Sequence, residues 1–380
     1  MPFTSLGLAP VFLKSLATAG YSRPTPIQSE AFPAIIAGKD LLGIAATGSG
    51  KTASYVLPIL HRLQLATAST YREPRVLVLV PTRELAVQVT AVFKKFLPAL
   101  PVRLTCQAVH GGVSANSQMQ AIGKADIVVA TPGRLLDLVE KNAVRLNSIT
   151  TLVLDEADKM LNLGFKDEVD RILTLLPTRR QNLLFSATLS EELERIQQVL
   201  LTAPQVIKIT TDTAETEPIQ QLAYLVPEVK KGPLLRYLIQ QGERKQVLVF
   251  TSSTVKADAV VNKLLKNRIH AAAIHSKLSQ QSRQFNLQEF KSGGLHVLVA
   301  TDLLARGIDI DQLPCVIQYE LPRSPKDYLH RIGRTGRAGH PGQAISLVSP
   351  DEVAHFQVIQ KKLGLRVKTL SGEAIDLHGF

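Results

Sequence analysis

Two short stretches of the chain hold residues whose types and spacing can do chemistry. The first, "AATGSGKT" (Ala45 to Thr52), sets Gly48 and Gly50 ahead of Lys51 and Thr52. Glycines let backbone N–H groups turn toward phosphate oxygens. A lysine supplies a point charge for β and γ phosphates, and a threonine hydroxyl suits Mg²⁺. The strict phosphate-loop pattern begins with Gly where this chain has Ala45, and a Gly/Ser turn that happens to hold a lysine has the same composition. The apolar run "LLGIA" before it and the helical "ASYVLPILHRL" after it favour a phosphate cradle, because a helix N-terminus adds its positive dipole end.

The second stretch, "LVLDEADKM" (Leu152 to Met160), packs Asp155, Glu156 and Asp158 at the end of an apolar run. Like charges that close repel one another. Beside a phosphate cradle they acquire a use: Asp155 can hold the water shell of Mg²⁺, and Glu156 can orient and deprotonate an attacking water. The cation and Lys51 would then balance the acids. The alternative for this segment is a solvated cap, since acids favour helix N-termini.

Such groups need elements that hold them together. Short β-branched runs alternate with helical patterns along the chain. In the first half they are "DLLGIAA", "RVLVLVP", "DIVVATP", "TLVLDEAD" and "NLLFSAT"; in the second, "QVLVFTS", "AAAIHS", "HVLVATD", "CVIQYEL" and "AISLVS". Continuous apolar strands alternating with helices imply a mainly parallel sheet covered on both faces. Two such sets predict two α/β domains, residues 1–209 and 222–380. They are joined by "TTDTAETEPIQQ" (210–221), which has the polar, Pro-containing composition of a flexible linker. Polar, Gly-rich or charged residues follow the apolar runs, and ligands of open parallel sheets bind outside the strands' carboxyl ends.

Bulk properties set the outer bounds. The chain has 380 residues and 45% hydrophobic composition, enough for a sizeable core. Its formal net charge of +12 fits a polyanionic partner and equally a merely basic soluble protein. The two cysteines, Cys106 and Cys315, sit in strand-like runs far apart, which argues against a disulfide or zinc framework and fits a reducing cytosol. No apolar run approaches the roughly 18 residues of a membrane span. The N-terminus lacks the basic start and clean apolar stretch of a signal peptide, and no auxiliary RNA-binding tail is recognisable near "SGEAIDLHGF". A cytoplasmic location is the expectation.

Further motifs extend these two. In order they are "GYSRPTPIQ" (Gly20 to Gln28) with Phe3 upstream, "AATGSGKT", "PTRELA" (Pro81 to Ala86), Gly111 and Gly112, and "TPGR" (Thr131 to Arg134). Then come "DEAD" (Asp155 to Asp158), "SAT" (Ser186 to Thr188), "VLVF" (Val247 to Phe250), "QQSR" (Gln280 to Arg283), "ATDLLARGID" (Ala300 to Asp309) and "HRIGRTGR" (His330 to Arg337). Together they resemble the DEAD-box family of ATP-dependent RNA helicases over nearly the whole chain. The opening "FTSLGL" looks most like the bacterial RhlE-type branch.

The resemblance implies two tandem RecA-like domains that close on ATP, Mg²⁺ and single-stranded or short-duplex RNA. It implies ATP hydrolysis coupled to local duplex opening or to remodelling of RNA–protein complexes. The alternative is an ATP-gated RNA clamp; a DNA helicase is disfavoured by the motif spellings. The resemblance assigns the nucleotide to Phe3, Tyr21, Arg23, Gln28, the loop Ala45, Ala46, Thr47, Gly48, Ser49, Gly50, Lys51 and Thr52, and to Asp309, Arg334 and Arg337. Gln28 has the donor and acceptor to pair with an adenine edge, and Tyr21 can stack on the ring. The two arginines act as fingers on the γ-phosphate, since guanidinium forks suit phosphate. Thr52 and Asp155 are the Mg²⁺ residues, and Lys51, Asp155, Glu156, His330, Arg334 and Arg337 the catalytic set.

RNA contacts fall on Pro81, Thr82, Arg83, Gly111, Gly112, Thr131, Pro132, Arg134, Gln280, Arg283, Thr301 and Asp302. Hydroxyls, glycine N–H groups and arginines bind phosphates without reading bases. With 5% aromatic residues and no Trp, little sequence preference is expected, and RNA is preferred through its 2′-OH. Coupling between domains is assigned to Asp158, Ser186, Thr188 and His330, and protein partners to RNA-decay or ribosome-assembly factors. Departures from the family pattern are Ala46 where Gln is common, Ser252 and Ser253 beyond Phe250, and Ser276 after His275 where Gly is usual.

Overall fold

A computed structural model describes residues 2–46, 48–65, 73–209, 219–241, 246–302, 313–336 and 342–380. Thr47, Asp309, Arg337 and most of the expected linker (210–218) lie outside the described residues. The chain divides into two compact units, Met1–Thr211 and Asp212–Phe380.

The first unit is built on seven strands: β1 (Leu41–Ile44), β2 (Val76–Leu79), β3 (Cys106–Val109), β4 (Ile127–Ala130), β5 (Thr151–Leu154), β6 (Gln181–Ser186) and β7 (Gln205–Lys208). They form one sheet in the order β3-β4-β2-β5-β6-β1-β7. Every pairing is parallel. The second unit holds β8 (Gln220–Leu225), β9 (Val247–Thr251), β10 (Ala271–Ile274), β11 (Val297–Thr301), β12 (Cys315–Gln318), β13 (Gln343–Val348) and β14 (Lys368–Ser371), in the order β10-β11-β9-β12-β13-β8-β14. These pairings are parallel too. Each strand of the second sheet thus occupies the place of the strand seven earlier in the first.

Successive strand residues point to opposite faces, and both faces are packed. Val76 and Val78 enter one core with Phe12, Phe32, Tyr55 and Phe93. Leu77 and Leu79, their neighbours on β2, enter a second core with Leu135, Met160 and Ile172. In the second unit Val247 and Val249 face one core, and Leu248 and Phe250 the other. This two-sided burial explains the unbroken apolar runs, and the chain carries two parallel seven-stranded sheets with flanking helices.

β7, β8 and β14 were not visible as apolar runs. β7 and β14 are edge strands with mostly exposed residues. β8 claims Gln220 and Gln221, the last two residues of the expected linker. Cys106 and Cys315 are both buried and neither is part of a disulfide, and burial pushes the Cys106 thiol up to about 12. Among the described residues, no helix is long and apolar enough to cross a membrane.

Candidate nucleotide and nucleic-acid site

Parallel pairing aligns the carboxyl ends of the first sheet along one edge. In register, Ile44 lies beside Ser186, Leu184 beside Leu154, Leu154 beside Leu79, Leu79 beside Ala130, and Ala130 beside Val109. The segments that follow therefore line up in sheet order: Gly111–Gly112, Thr131–Arg134, Pro81–Arg83, the acids from Asp155, Ser186–Thr188, and the loop from Ala45. The acids sit between the loop on one side and the arginine-rich group on the other.

The loop turns directly into the helix Lys51–Leu65. Gly48 and Gly50 have φ of +83° and +93°, a region that side chains rarely adopt. A Cβ on Gly50 would also lie 2.6 Å from Gln28 Nε2 and 2.9 Å from Thr25 Oγ1. That closeness reflects a contact: Gln28 Nε2 donates to the Gly50 carbonyl at 3.2 Å, and its Oε1 accepts from the Thr25 N–H at 3.0 Å. Gln28 is buried and braces the loop. Lys51 is buried as well, and its Nζ donates to the Ala45 carbonyl at 2.6 Å across the turn. Burial lowers its pKa, opposed by Asp155, Glu156 and Asp158. The Ser49 hydroxyl is buried with no partner among the described residues.

β5 ends at Leu154, and the acids follow. Asp155 is 2% exposed. Its Oδ2 accepts from Tyr55 Oη at 2.8 Å and its Oδ1 from the Glu156 N–H at 2.9 Å. Burial, then the neighbouring Glu156, push its carboxyl up to about 6, against the pull of Lys51. Glu156 takes left-handed backbone angles, φ 51° and ψ 45°, ahead of the short helix Ala157–Asn162. Its Oε1 accepts from Lys159 Nζ at 2.7 Å; its Oε2 is buried without a partner among the described residues. Asp158 accepts from the Lys159 N–H at 3.0 Å and from Thr188 Oγ1 at 2.7 Å. Ser186 Oγ donates to the Thr188 carbonyl at 2.8 Å. Asp158, Ser186 and Thr188 thus form one hydrogen-bonded group.

The donor set fits a small divalent cation. Thr52 and Asp155 offer hard oxygen ligands, and Glu156 Oε2 is a buried oxygen with no partner among the described residues. Among the described residues no three His, Cys, Asp or Glu side chains form a metal cage of their own. Mg²⁺ is suited to that arrangement, since it uses one or two carboxylates and completes its shell with water and phosphate.

On the other half of the edge, the Arg83 guanidinium lies against the Gly111–Gly112 turn. A Cβ on Gly111 would come within 3.1 Å of its Nη2, and one on Gly112, at φ +84°, would overlap Nη1. Thr82 caps the helix Arg83–Phe96 by accepting from the Leu85 N–H at 3.2 Å. Pro132 opens the helix Pro132–Glu140, with Thr131 buried before it and Pro81 buried on the neighbouring strand end. Arg134 donates to the Val113 carbonyl at 3.1 Å and to Gln118 Oε1 at 3.0 Å.

In the second unit Gln280 opens the helix Gln280–Ser292, and its Oε1 accepts from Arg283 Nη2. Thr301 ends β11 and is buried. Asp302 departs from the expected RNA contact: both its oxygens are taken by Arg331, at 2.6 and 2.8 Å. Arg331 is 2% exposed, donates to the Glu320 carbonyl at 2.6 Å and lies 5.0 Å over the Phe250 ring. It positions Asp302, and it stands apart from its neighbours His330, half-buried on the same helix, and Arg334, buried just beyond it.

Three more nucleotide candidates lie ahead of the loop in sequence. Phe3 is a core residue, 6.3 Å from the Phe32 ring, so it supports the site only through packing. Tyr21 rests edge-on against Phe96 at 5.8 Å with Lys95 over its ring, and burial raises its phenol pKa; Arg23 is exposed. Tyr55 and Lys159 were not anticipated. Their spacing was the available signal: Tyr55 lies one turn after Lys51 and Thr52, and Lys159 one turn after Glu156.

Fold and site together define a tandem RecA-like protein with a phosphate loop and an acid-ended strand on one sheet edge. Residues 25–196 match the DEAD/DEAH box helicase family, and residues 230–339 match the helicase conserved C-terminal domain. An ATP-dependent RNA helicase DeaD of Buchnera aphidicola is 38% identical over 98% of this chain, which spans 61% of that protein. A DEAD-box ATP-dependent RNA helicase CshA of Streptococcus pneumoniae is 39% identical over 99% of this chain, which spans 71% of its length. Among solved structures, S. cerevisiae Dbp5 bound to RNA and ADP BeF3 aligns with a TM-score of 0.84 at 30% identity, covering 97% of this chain and 95% of that one. A DEAD box protein from Methanococcus jannaschii aligns with a TM-score of 0.56 at 34% identity, covering 97% and 99%. The chain belongs to the DEAD-box helicase family.

Proposed function

We propose that this chain is an RNA-dependent ATPase that opens short RNA duplexes locally or remodels RNA–protein complexes. The observation that carries the reading is the single sheet edge, on which the phosphate loop, the acids, the Ser186–Thr188 turn and the Arg83–Gly112–Arg134 group follow one another.

In this reading the loop amides and Lys51 hold the phosphates, Lys51 Nζ leaving the Ala45 carbonyl for a phosphate oxygen. Gln28 takes the adenine edge by leaving the Gly50 carbonyl and the Thr25 N–H, with Tyr21 and Arg23 beside it. Mg²⁺, when bound by Thr52 and Asp155, supplies positive charge that offsets the phosphates and the carboxylates. Glu156 receives the proton of the attacking water at Oε2, its unpartnered oxygen. Arg334 and Arg337 neutralise the charge that builds on the γ-phosphate, a contribution of about 10³- to 10⁵-fold in related chemistry. Arg83, Gly111, Gly112, Thr131 and Arg134 in one unit, and Gln280, Arg283 and Thr301 in the other, hold the RNA backbone. Asp158, Ser186, Thr188 and His330 relay nucleotide state to RNA grip. Within the family, "FTSLGL" (Phe3 to Leu8) supports an RhlE-type assignment, while the relatives compared above carry the names DeaD and CshA. A cytoplasmic location and factors of RNA decay or ribosome assembly as partners complete the reading.

Magnitudes favour local opening. Micromolar ATP binding corresponds to about 8 kcal/mol. Each duplex step costs about 1.4 kcal/mol, so one ATP offsets at most about six steps. The deciding assay is steady-state ATP hydrolysis with no nucleic acid, with single-stranded RNA and with matched single-stranded DNA. RNA-selective stimulation is expected; equal stimulation by DNA would overturn the RNA assignment.

A further inference from the structure

The acid run that opens the hydrolytic site carries a lysine that the mechanism above does not use. Lys159 is 5% exposed, and its Nζ sits 2.7 Å from Glu156 Oε1. Both side chains are nearly enclosed, at 6% and 10% exposure. Its backbone N–H donates to Asp158 Oδ1 at 3.0 Å, so the one residue touches two of the three acids.

Two features show that the pair does more than neutralise charge. Glu156 stands at φ 51°, a conformation costing a non-glycine residue about 1–2 kcal/mol. Such strain persists where surroundings enforce it, and it clusters at functional sites. Here it fixes the direction in which the side chain leaves the backbone. The second feature is the asymmetry of the carboxylate. Oε1 is anchored by the ammonium, while Oε2 is buried with no partner among the described residues. A buried acceptor left unpaired costs about 1–3 kcal/mol, so it calls for an explanation. An unanchored carboxylate would rotate and share its two oxygens among the donors nearby. With Oε1 held, Oε2 alone remains to accept a proton.

We propose that Lys159 is a positioning residue for ATP hydrolysis, anchoring Glu156 by one oxygen so that the other faces the attacking water. The proposal rests on the reading of Glu156 as the base. Lys159 touches neither nucleotide nor water in this scheme; it acts through Glu156. Its reach matches the task, since Lys159 lies within the first turn of the helix that Glu156 caps and its long side chain folds back to the carboxylate at 2.7 Å. Its charge is also felt at Lys51, which places the ammonium in the same electrostatic neighbourhood as the phosphate loop.

The test uses the full chain with Lys159→Met, Lys159→Arg, Glu156→Gln and the Lys159→Met/Glu156→Gln double variant. RNA-stimulated kcat and KM, affinity for a fluorescent ATP analogue and thermal unfolding are measured on each. Lys159→Met is expected to lower kcat by about 10- to 100-fold, as loss of a supporting partner does at comparable sites. KM and analogue affinity should stay within about threefold of wild type, because ground-state binding is untouched. Lys159→Arg should recover most of the lost kcat. In the Glu156→Gln background, Lys159→Met should change turnover no further, since two residues acting as a unit are non-additive.

Wild-type turnover in Lys159→Met beside an inactive Glu156→Gln would overturn the anchoring role while leaving the base assignment intact. Wild-type turnover in Glu156→Gln would instead remove the base reading and the proposal with it. If Lys159→Met does not fold, Lys159→Arg decides. A fall in its kcat matched by an equal fall in analogue affinity would mean that the lysine only supports the fold, and would overturn the proposal. Retained affinity with kcat between wild type and Glu156→Gln would support it.

Discussion

Replacing Asp155 with Asn should stabilise the nucleotide-free protein at pH 8 while abolishing turnover. Asp155 is 2% exposed, and burial raises its carboxyl from 3.8 to about 6. The folded state therefore holds this proton more tightly than the unfolded chain does. The group's relative contribution is most favourable below pH 4 and is lost as pH rises through about 6. At about 1.4 kcal/mol per pH unit, the full penalty above that point is about 3 kcal/mol. An asparagine removes it at little hydrogen-bonding cost. Its amide oxygen can accept from the Glu156 N–H, and its NH₂ can face Tyr55 Oη, which then turns from donor to acceptor. Lys51 loses a favourable neighbour, so a net gain of about 1–3 kcal/mol is expected. Hydrogen exchange of β5 and of the helix Lys51–Leu65, compared between variant and wild type at matched pH from 5 to 8, reads the difference. The excess protection of D155N should be largest near pH 8 and shrink as pH falls through 6. A difference independent of pH, or a variant less protected at pH 8, would refute the argument that a buried, ionised Asp155 destabilises the fold around it.

Three further outcomes follow from single contacts. Gly112→Ala should weaken RNA binding in a fluorescence anisotropy titration and leave ATP affinity unchanged, because a Cβ at φ +84° overlaps Arg83 and displaces it; unchanged RNA affinity would remove the Arg83–Gly112 group from the RNA face. Thr188→Val strips the hydroxyl that donates to Asp158 at 2.7 Å and should cost about 1.5–3 kcal/mol locally. Faster exchange of the helix Ala157–Asn162, with β2 and β4 unaffected, is the check. Arg331→Lys keeps the charge but not the two-pronged grip on Asp302 or the contact with the Phe250 ring, and should lower the stability of the second unit by about 1–3 kcal/mol. Urea unfolding followed through exchange in β11 and β12 would reveal it.

The sequence announces whatever depends on local pattern. Central strands such as β2 and β9 are buried on both faces, so "VLVL" and "VLVFT" stand out as unbroken apolar runs. β14 at the margin has one side in solvent and reads as loop, and β8 hides inside a polar stretch. The phosphate loop was legible because its glycines answer a backbone requirement. The partners of the acids were not, because they depend on which helix face meets which strand end. Tyr55 reaches Asp155 from a helix far away in sequence, and its one local trace is a place one turn after Lys51 and Thr52. Phe3 went astray for a related reason. Resemblance associated it with the nucleotide, whereas its buried ring packs on Phe32.

The matching strand orders of the two sheets bring one difference into relief. The units part at the first strand. β1 is followed by the glycine loop Ala45 to Gly50 before its helix begins at Lys51. Its counterpart β8 runs through Val226 and Pro227 alone before the helix Glu228–Gln241. The second unit thus has the same scaffold but only a two-residue connection where the first has its glycine loop. Grafting the Ala45–Thr52 loop between β8 and its helix is the direct way to ask whether that scaffold can hold a phosphate of its own.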